Sequence, residues 1–260
     1  MREIISELLK NELFSIGDIH FYAYGLCIAI GIVLGLTIVP KRLKSYPEIK
    51  SDIYNFILFV ILTGFLGAKL LSLITTINRI WEYGFVEWIK YSGLVVYGGI
   101  ILGTLSAYFY VKKKNENFFY YADFIMPLVA LVQGFGRIGC LFAGCCYGKP
   151  TDSVFSVTYI YSDNAPLNIP LFPSQLVSAL FDIILFVVLL LIDRYAKKYT
   201  GQILVNYLIV YSIGRFIIEF FRGDEVRGRF LIFSTSQWIS IVLIIISLYL
   251  MKRLKGKTGE

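Results

Sequence analysis

An arginine among glycines, followed by two adjacent cysteines, is the part of the chain best suited to chemistry. Within residues 133–150, Arg137 stands among five glycines and precedes Cys145 and Cys146. Glycines let a ligand approach the backbone, and a guanidinium binds phosphate through paired hydrogen bonds. The stretch ends an apolar segment, where a charged side chain is costly unless it meets an anion. These residue types predict a site that grips a lipid phosphate within a bilayer.

The composition of the chain indicates an integral membrane protein. Of its 260 residues, 57% are hydrophobic and 17% are charged. Apolar segments follow one another with short connections, which predicts a single transmembrane domain over residues 1–260. The net charge of +7 is spread in short clusters between these segments, a pattern typical of loops beside anionic lipids, so we expect no nucleic-acid partner. Four cysteines without CxxC spacing and a single histidine argue against a metal site or a disulfide scaffold.

Seven apolar segments are each long enough to cross a bilayer as a helix of about 20 residues. They lie at residues 19–40, 53–77, 93–111, 121–143, 174–192, 202–221 and 233–251. The predicted fold is therefore all-α. The first eighteen residues carry charges throughout, with apolar residues at near-helical spacing, and they predict a short interfacial helix rather than a signal peptide.

The lysines and arginines outside these segments predict the orientation. Fourteen fall on one side and eight on the other, which places the N-terminus outside and the C-terminus in the cytoplasm. In this orientation residues 149–173 form a small extracytoplasmic loop region. Arg222, Arg227 and Arg229 lie on the outer side against the rule, which indicates a role other than topology.

Polar side chains in six of the segments fall toward the same leaflet in this orientation, with Asp182 nearer mid-depth. The residues concerned are Tyr24, Lys69, Tyr97, Arg137, Ser174, Gln175, Arg215 and Glu219. Charged residues inside membrane segments usually face the interior of the helix bundle. The arrangement predicts a polar cavity that is open toward the outer leaflet and lined by cations.

Each of these charged and aromatic residues also has a structural interpretation. Arg215 and Glu219 are spaced i, i+4 and could neutralise each other. Arg137 could close a helix end by binding carbonyl oxygens. For Lys69 we favour a side chain that extends outward along its long stem, and Tyr97 could belong to the interfacial belt of aromatic residues.

Several motifs, in order along most of the chain, resemble those of the prolipoprotein diacylglyceryl transferase family. They are Phe14-Ser15-Ile16-Gly17 with Tyr24-Gly25, Tyr97-Gly98-Gly99, Ala122-Asp123-Phe124-Ile125-Met126-Pro127, Gly136-Arg137-Ile138-Gly139 with Gly144 and Gly148, Pro173-Ser174-Gln175-Leu176, and Gly214-Arg215-Phe216-Ile217-Ile218-Glu219-Phe220-Phe221-Arg222. One such match would carry little weight, whereas this number in the family's order makes the resemblance specific.

The resemblance implies that the diacylglyceryl group of phosphatidylglycerol moves to the lipobox cysteine thiol of a preprolipoprotein. The products are a thioether and glycerol phosphate, and the reaction is the first step of bacterial lipoprotein maturation. It implies a multi-pass protein of the bacterial cytoplasmic (inner) membrane, with phosphatidylglycerol, lipobox signal peptides and the lipid bilayer as partners. No cofactor and no metal is expected.

The same resemblance suggests roles for particular residues. Arg137 and Arg215 would stabilise the charge that grows on the leaving phosphate, and Tyr97 would stand at the catalytic position of the family's usual histidine. The residues implied in substrate binding are Tyr24, Gly98, Gly99, Gly136, Gly139, Cys140, Gly144, Cys145, Gly148, Ser174, Gln175, Glu219 and Arg222.

The chain also departs from the family pattern at the positions meant for chemistry. A tyrosine with a pKa near 10 is a poor base at neutral pH, unless nearby cations lower its pKa. Cys140 and Ala143 stand where asparagines are usual, and Cys145 stands where a glutamate is common. Adjacent cysteines rarely bridge comfortably, so we favour free thiols at Cys145 and Cys146.

Three accounts of these departures stay open. The arginines suffice without a base, or Cys145 or Cys146 joins the chemistry through a covalent intermediate, or the enzyme serves another acceptor or lipid. Two alternatives come from other classes of protein. A lipid carrier or transporter typically has internal repeats around a site at the bilayer midplane, and a thiol-redox enzyme typically has a CxxC pair. The sequence shows neither feature.

Overall fold

The computed structural model describes residues 11–17, 19–49, 52–224 and 229–256, which are helical apart from short hairpins and connections. The elements in chain order are β1 (Glu12–Ile16), β2 (Ile19–Tyr22), α1 (Ala23–Leu43), α2 (Ile53–Thr75), a 3₁₀ turn (Ile77–Arg79), α3 (Ile80–Tyr83), α4 (Phe85–Tyr91), α5 (Val96–Lys113), α6 (Phe118–Ala143), α7 (Ser174–Tyr195), α8 (Gln202–Glu219), β3 (Arg229–Phe230), β4 (Phe233–Ser234) and α9 (Thr235–Gly256).

A long helix stands in each of the seven predicted apolar segments, but the N-terminal region differs from the prediction. Strands β1 and β2 form an antiparallel hairpin, whose turn contains Gly17 at a φ of 60°, a conformation that glycine adopts without strain. The interfacial helix predicted over residues 1–18 is therefore wrong across β1, and its first ten residues lie outside the described residues. The first predicted segment begins four residues too early for the same reason.

Five helices in the described residues are long and apolar enough to cross a membrane, namely α1, α2, α6, α7 and α8. Their outward faces are apolar, as on α2, where Leu58, Leu62 and Leu66 are each more than half exposed. Side chains at i and i+4 lie on one face of a helix, so these leucines form a stripe suited to contact with lipid tails. The chain is a multi-pass membrane protein.

The chain divides into two compact units, Met1–Lys44 with Ala122–Glu260, and Ser45–Tyr121. In the second unit, α2 and α5 approach closely through glycines. A Cβ on Gly98 would overlap the Gly67 carbonyl oxygen and lie 2.5 Å from the Leu71 Cβ, and one on Gly99 would lie 2.9 Å from the Gly64 oxygen. Small residues that let two backbones touch are typical of helix packing in membranes. The structure therefore gives Gly98 and Gly99 a packing role.

In the larger unit, α6, α7 and α8 share a buried apolar core. Its fully buried members include Ala130, Leu185, Leu189 and Ile203, with Tyr207 at its edge. At α8 the contact is tight, because a Cβ on Gly214 would overlap the ring of Phe181. This packing fixes the relative position of the three helices that carry Arg137, Asp182 and Arg215.

A buried carboxylate on α6 joins α6 to the start of α8. Asp123 is fully buried, accepts hydrogen bonds from the backbone N–H groups of Gly201 at 2.7 Å and Leu204 at 3.0 Å, and pairs with Lys197 at 3.0 Å. The first N–H groups of a helix have no partner within the helix. Asp123 therefore caps α8 from a neighbouring helix and is neutralised by a lysine.

Arg42, at the end of α1, completes this group of charges. Its guanidinium pairs with Asp193 at 3.1 Å and donates to the carbonyl oxygens of Asp123 and Phe124, both at 3.2 Å. We call Arg42, Asp123, Asp193 and Lys197 the charge lock. The topology prediction treats Arg42 as an exposed loop charge, whereas the structure buries it to 7% exposure, because it ties α1 to α6 and α7.

The segment between α6 and α7 is folded rather than an open loop. Leu171 pairs with Val157 through backbone hydrogen bonds of 2.9 Å, and both pack in a small core with Leu141 and Tyr159. The Tyr159 hydroxyl donates to the Leu141 carbonyl oxygen at 2.9 Å. This segment therefore covers the end of α6 at which the glycine-rich stretch lies.

Candidate active site

The glycine-rich stretch forms the last turns of α6 and a tight turn after it. Gly144 and Cys146 have positive φ values of 66° and 59°, which reverse the chain direction. A side chain at Gly144 would overlap the Ser162 hydroxyl, and the left-handed conformation at Cys146 is uncommon for a non-glycine residue. The two residues return the chain across the end of α6 and bring Cys145 and Cys146 back toward it.

The glycines of the stretch serve mainly to pack chain against chain. A Cβ on Gly139 would lie 3.0 Å from the Tyr24 ring, and one on Gly148 would overlap the Phe172 carbonyl oxygen. At Gly136, by contrast, the nearest atom would be 3.9 Å away, on Ile28. These contacts give Gly139, Gly144 and Gly148 a packing role, whereas Gly136 keeps open space beside it; the substrate-binding role of these glycines stays a prediction.

Arg137 and Arg215 face the same cavity, which confirms the predicted convergence of these arginines. The cavity is lined by Arg137, Ser178, Phe181, Asp182, Tyr211, Arg215 and Ile218. We call it the arginine cavity. Its lining includes the carboxyl group of Asp182, a residue only 2% exposed.

Arg215 keeps part of its hydrogen-bonding capacity free. Its Nη2 lies 2.5 Å from Glu219 Oε2 and donates to the Ser236 hydroxyl at 3.0 Å. Its buried Nη1 has no hydrogen-bond partner among the described residues. The predicted ion pair with Glu219 is therefore present, but it uses only one side of the guanidinium. A buried donor without a partner is costly, so the other side is suited to bind an anion.

Arg222 lies beside Glu219 and binds Asp224 through two nitrogens. Nε is 2.8 Å from Asp224 Oδ1 and Nη2 is 2.5 Å from Oδ2, while Glu219 Oε2 is 3.8 Å from Nε. Glu219 is therefore placed between two arginines. The paired geometry is typical of a strong carboxylate–guanidinium contact and holds Arg222 in one orientation.

Ser174 and Gln175 support the turn after α6 rather than face the cavity. The Ser174 hydroxyl donates to the Cys146 carbonyl oxygen at 2.7 Å, and Gln175 Nε2 donates to the Cys145 carbonyl oxygen at 2.9 Å. Gln175 also reaches the Tyr159 hydroxyl at 3.2 Å. Both are about 2% exposed, and these contacts give them a positioning role; the substrate-binding role stays a prediction.

Three thiols meet at the end of α6 beside Arg137. The Sγ atoms of Cys140, Cys145 and Cys146 all lie within 4.8 Å of one another, and Arg137 Nη1 is 3.8 Å from Cys146 Sγ. Hydrogen bonds with Cys140 and Cys145, together with the charges of Arg222 and Arg137, hold the pKa of the Cys146 thiol well below its usual range. The three cysteines carry thiols that are not joined in disulfides, as favoured from the sequence for Cys145 and Cys146.

Comparison with known proteins identifies the family. The model of the family described as prolipoprotein diacylglyceryl transferase matches residues 11–253. The phosphatidylglycerol–prolipoprotein diacylglyceryl transferase of Clostridium tetani is 42% identical over 241 residues, which cover 93% of this chain and 96% of the relative. The chain belongs to the prolipoprotein diacylglyceryl transferase family.

Other relatives extend the match over nearly the whole chain. The phosphatidylglycerol–prolipoprotein diacylglyceryl transferase 2 of Clostridium perfringens is 38% identical over 97% of this chain and 99% of the relative. The Finegoldia magna transferase is 31% identical over 95% of this chain and 96% of the relative. The resemblance predicted from the motifs is thus confirmed.

Tyr97, at the position of the family's usual histidine, lies in the first turn of α5, within the Ser45–Tyr121 unit. It is 42% exposed, and its assignment as a catalytic residue of this family member stays a prediction. In the same unit Lys69 Nζ donates to the carbonyl oxygens of Ile89 at 2.7 Å and Ser92 at 2.5 Å. Lys69 therefore closes the end of α4, which gives it a structural role.

Ser178 and Tyr211 line the arginine cavity, and neither was predicted from the sequence. Their signal is a recurrence of polar residues every four positions, from Ser174 through Ser178 to Asp182 on α7 and from Tyr207 through Tyr211 to Arg215 on α8. Residues at this spacing share one helix face. On α7 and on α8, one polar helix face therefore leads to the side chains that line the arginine cavity.

Proposed function

We propose that this chain transfers the diacylglyceryl group of phosphatidylglycerol to the lipobox cysteine thiol of preprolipoproteins, the first step of bacterial lipoprotein maturation. The relatives are named for phosphatidylglycerol and prolipoprotein. The observation that carries the proposal for this chain is the arginine cavity, which both Arg137 and Arg215 line. A phosphodiester is the substrate group that such a pair would grip.

The reaction is a displacement at carbon. The acceptor sulfur attacks the glycerol carbon that carries the phosphodiester, a C–S bond forms, the C–O bond breaks, and its electron pair leaves on the phosphate of glycerol phosphate. Negative charge on the phosphate therefore rises as the bond breaks. Donors aimed at the growing charge in a site that excludes water are each worth about 10²–10³ in rate.

Arg137 and Arg215 are the donors in this proposal. Arg137 reaches the cavity from α6, and Arg215 offers its free Nη1 from α8. Glu219 fixes the orientation of Arg215 through its other nitrogen. The phosphate is thus held from two helices, and Arg222, held by Asp224, adds positive charge nearby.

Tyr24 and Gly136 are proposed to contact the lipid. Tyr24 packs on Gly139 and keeps about a third of its surface exposed, and Gly136 keeps open space before it. Gly98 and Gly99 are proposed to contact the lipid only because they directly follow Tyr97 in the chain. We propose Tyr97 as a catalytic residue from its position in the family pattern.

We also infer the arrangement in the membrane. Helices α5 and α9 join the five apolar helices to make seven spans in a single transmembrane domain, with the N-terminus outside and the C-terminus in the cytoplasm. The excess of lysine and arginine on the C-terminal side supports this orientation. The segment 149–173 then lies outside the bacterial cytoplasmic membrane, beside the substrate lipobox.

The proposal is tested by the release of glycerol phosphate. Purified protein in detergent, given phosphatidylglycerol and a lipobox peptide, is expected to release glycerol phosphate and to raise the peptide mass by one diacylglyceryl unit. Arg137→Ala is expected to lower the rate about 10²–10³-fold. The matched control is Arg253→Ala, which removes an exposed arginine in the last turn of α9 and should leave the rate unchanged.

Two results would contradict the proposal. Wild-type protein that releases no glycerol phosphate under these conditions is not a transferase of this type. An Arg137→Ala variant with the wild-type rate removes the arginine cavity from the mechanism. Glycerol phosphate released while the peptide stays unmodified would assign the chain to another acceptor.

A further inference from the structure

The three thiols at the end of α6 form a cluster whose geometry suits a metal ion. Cys140 lies in the last turn of α6, and Cys145 and Cys146 return to it through the turn after Gly144. Their sulfur atoms lie within 4.8 Å of one another. Three sulfurs bound to one zinc ion in tetrahedral geometry, each about 2.3 Å from the metal, lie about 3.8 Å apart. The cluster would need to close by at most about 1 Å, which side-chain rotation can supply.

The turn that carries two of the thiols is held in place by buried side chains. Gln175 and Ser174 bind the carbonyl oxygens of Cys145 and Cys146, and Tyr159 joins Gln175 to the end of α6. Outer hydrogen bonds that fix the ligand-bearing backbone are a regular part of metal sites. The cluster is therefore preorganised by the side chains of Ser174, Gln175 and Tyr159.

The surrounding charges favour a bound thiolate cluster. Three thiolates and one Zn²⁺ carry a net charge of −1, and Arg137 Nη1 lies 3.8 Å from Cys146 Sγ. The positive charge of Arg222 acts in the same direction. Opposite charges at this distance lower the cost of burying the complex. Thiolate donors select zinc and copper(I) over magnesium or calcium.

Three protein ligands leave one position of a tetrahedral zinc open. Structural zinc sites use four protein ligands, whereas catalytic sites keep the fourth position for water or substrate. Among the described residues, this cluster contains three cysteines and no fourth metal-binding side chain of histidine, cysteine or carboxylate type. Rules based on CxxC spacing overlook such a cluster. An open position beside Arg137 is where a substrate thiol would enter.

We propose that Cys140, Cys145 and Cys146 bind Zn²⁺ and that its fourth position takes the acceptor cysteine as a thiolate. The inference rests on the proposed function, and it replaces the sequence expectation of no metal. The zinc site would deprotonate the acceptor thiol, a task for which the tyrosine at the family's histidine position is poorly suited. A thiol with a pKa near 8.5 is mostly protonated at neutral pH, whereas a thiol coordinated to zinc is deprotonated.

The step balances without a redox partner. The acceptor S–H loses its proton to water as the sulfur binds zinc, and the sulfur lone pair then attacks the glycerol carbon of phosphatidylglycerol. The C–S bond forms, the C–O bond breaks, and the electron pair leaves on the phosphate between Arg137 and Arg215. Zinc keeps its oxidation state throughout, and the released glycerol phosphate can take up the proton.

Metal analysis of the purified full-length protein tests the site. We expect about one zinc per chain and its loss in each of Cys140→Ser, Cys145→Ser and Cys146→Ser. Cys27→Ser, which changes a buried cysteine of α1, is the matched control and should keep zinc. Wild-type protein that holds no more zinc than the triple serine variant, after equilibration with Zn²⁺, overturns the site.

Cobalt replacement tests the open position independently of activity. Co²⁺ bound by thiolates absorbs in the near ultraviolet, and each added thiolate raises that absorption. A lipobox peptide should therefore raise the absorption of the Co²⁺ protein, while the same peptide with serine for its cysteine should not. An equal response to both peptides, or to neither, overturns thiolate capture.

Chelation separates this inference from the proposed function. Removal of zinc should lower glycerol phosphate release at least tenfold, and Zn²⁺ but not Mg²⁺ should restore it. Full release by zinc-free protein overturns the inference and leaves the transferase assignment standing. Zinc binding and a cysteine-dependent cobalt signal without any transfer would support the site and contradict the proposed function.

Discussion

The two ends of α6 both bury charged groups, and they use them in opposite ways. At one end the charge lock pairs Arg42 and Lys197 with Asp123 and Asp193, and two backbone N–H groups donate to the two carboxylate oxygens of Asp123. At the other end Arg137 and Arg215 face a cavity. At the first end the cations are paired with carboxylates. At the second end a hydrogen-bond donor has no partner among the described residues.

The difference separates charges that join helices from charges that wait for a substrate. A buried charge without a partner is costly in a membrane, so a chain retains one where a ligand supplies the missing partner. In the charge lock each carboxylate is paired with a cation. In the arginine cavity Arg215 Nη1 is a buried donor without a hydrogen-bond partner among the described residues, and an anion would supply that partner.

Removal of the lock's central carboxylate should have the largest effect on stability. Asp123→Ala removes the nearer carboxylate partner of Lys197 and the acceptor of the Gly201 and Leu204 N–H groups, and loss of one member of a buried pair costs about 3–5 kcal/mol. Unfolding in detergent should report this loss. Asp152→Ala, at an exposed aspartate, is the control and should have little effect.

The comparison would break if Asp123→Ala kept wild-type stability while losing transferase activity per folded molecule. The charge lock would then belong to the reaction rather than to the fold.

A smaller effect is expected at the support of the thiol turn. Tyr159→Phe removes the donor to Leu141 and the acceptor for Gln175, and buried polar groups left without partners cost about 1–3 kcal/mol. The free energy of unfolding should fall by that amount. Tyr249→Phe, at an exposed tyrosine of α9, should leave it unchanged.

Equal stability of Tyr159→Phe and wild type would show that the turn holds its shape without this hydrogen bond. The claim that buried hydrogen bonds hold the thiol-bearing turn rigid would then be wrong.

Hydropathy predicts most of the helices because a membrane demands long apolar segments whatever their neighbours are. It predicts the shared position of Arg137 and Arg215 for a related reason, since depth along a helix follows from counting residues. The N-terminal hairpin escaped prediction because the pairing of β1 with β2 depends on a turn at Gly17 rather than on apolar length.

The contacts around the thiols were beyond the sequence for a different reason. Spacing rules search for CxxC, whereas Cys140 meets Cys145 and Cys146 through a chain reversal that needs positive φ at Gly144 and Cys146. Arg42 illustrates the same gap. Its place after an apolar segment is typical of a topology charge, and only the fold shows that it binds Asp193 on another helix.

The central claim is that the two ends of α6 divide structure from chemistry, and two conservative changes test it most directly. We propose to measure glycerol phosphate release per folded molecule, and the melting temperature, for Arg137→Lys and Arg42→Lys. A lysine keeps the charge and loses the planar set of donors. Arg137→Lys should lower the rate about 10²-fold without changing the melting temperature, and Arg42→Lys should lower the melting temperature without changing the rate. A wild-type rate for Arg137→Lys, or an equal loss of rate in both variants, would contradict the account.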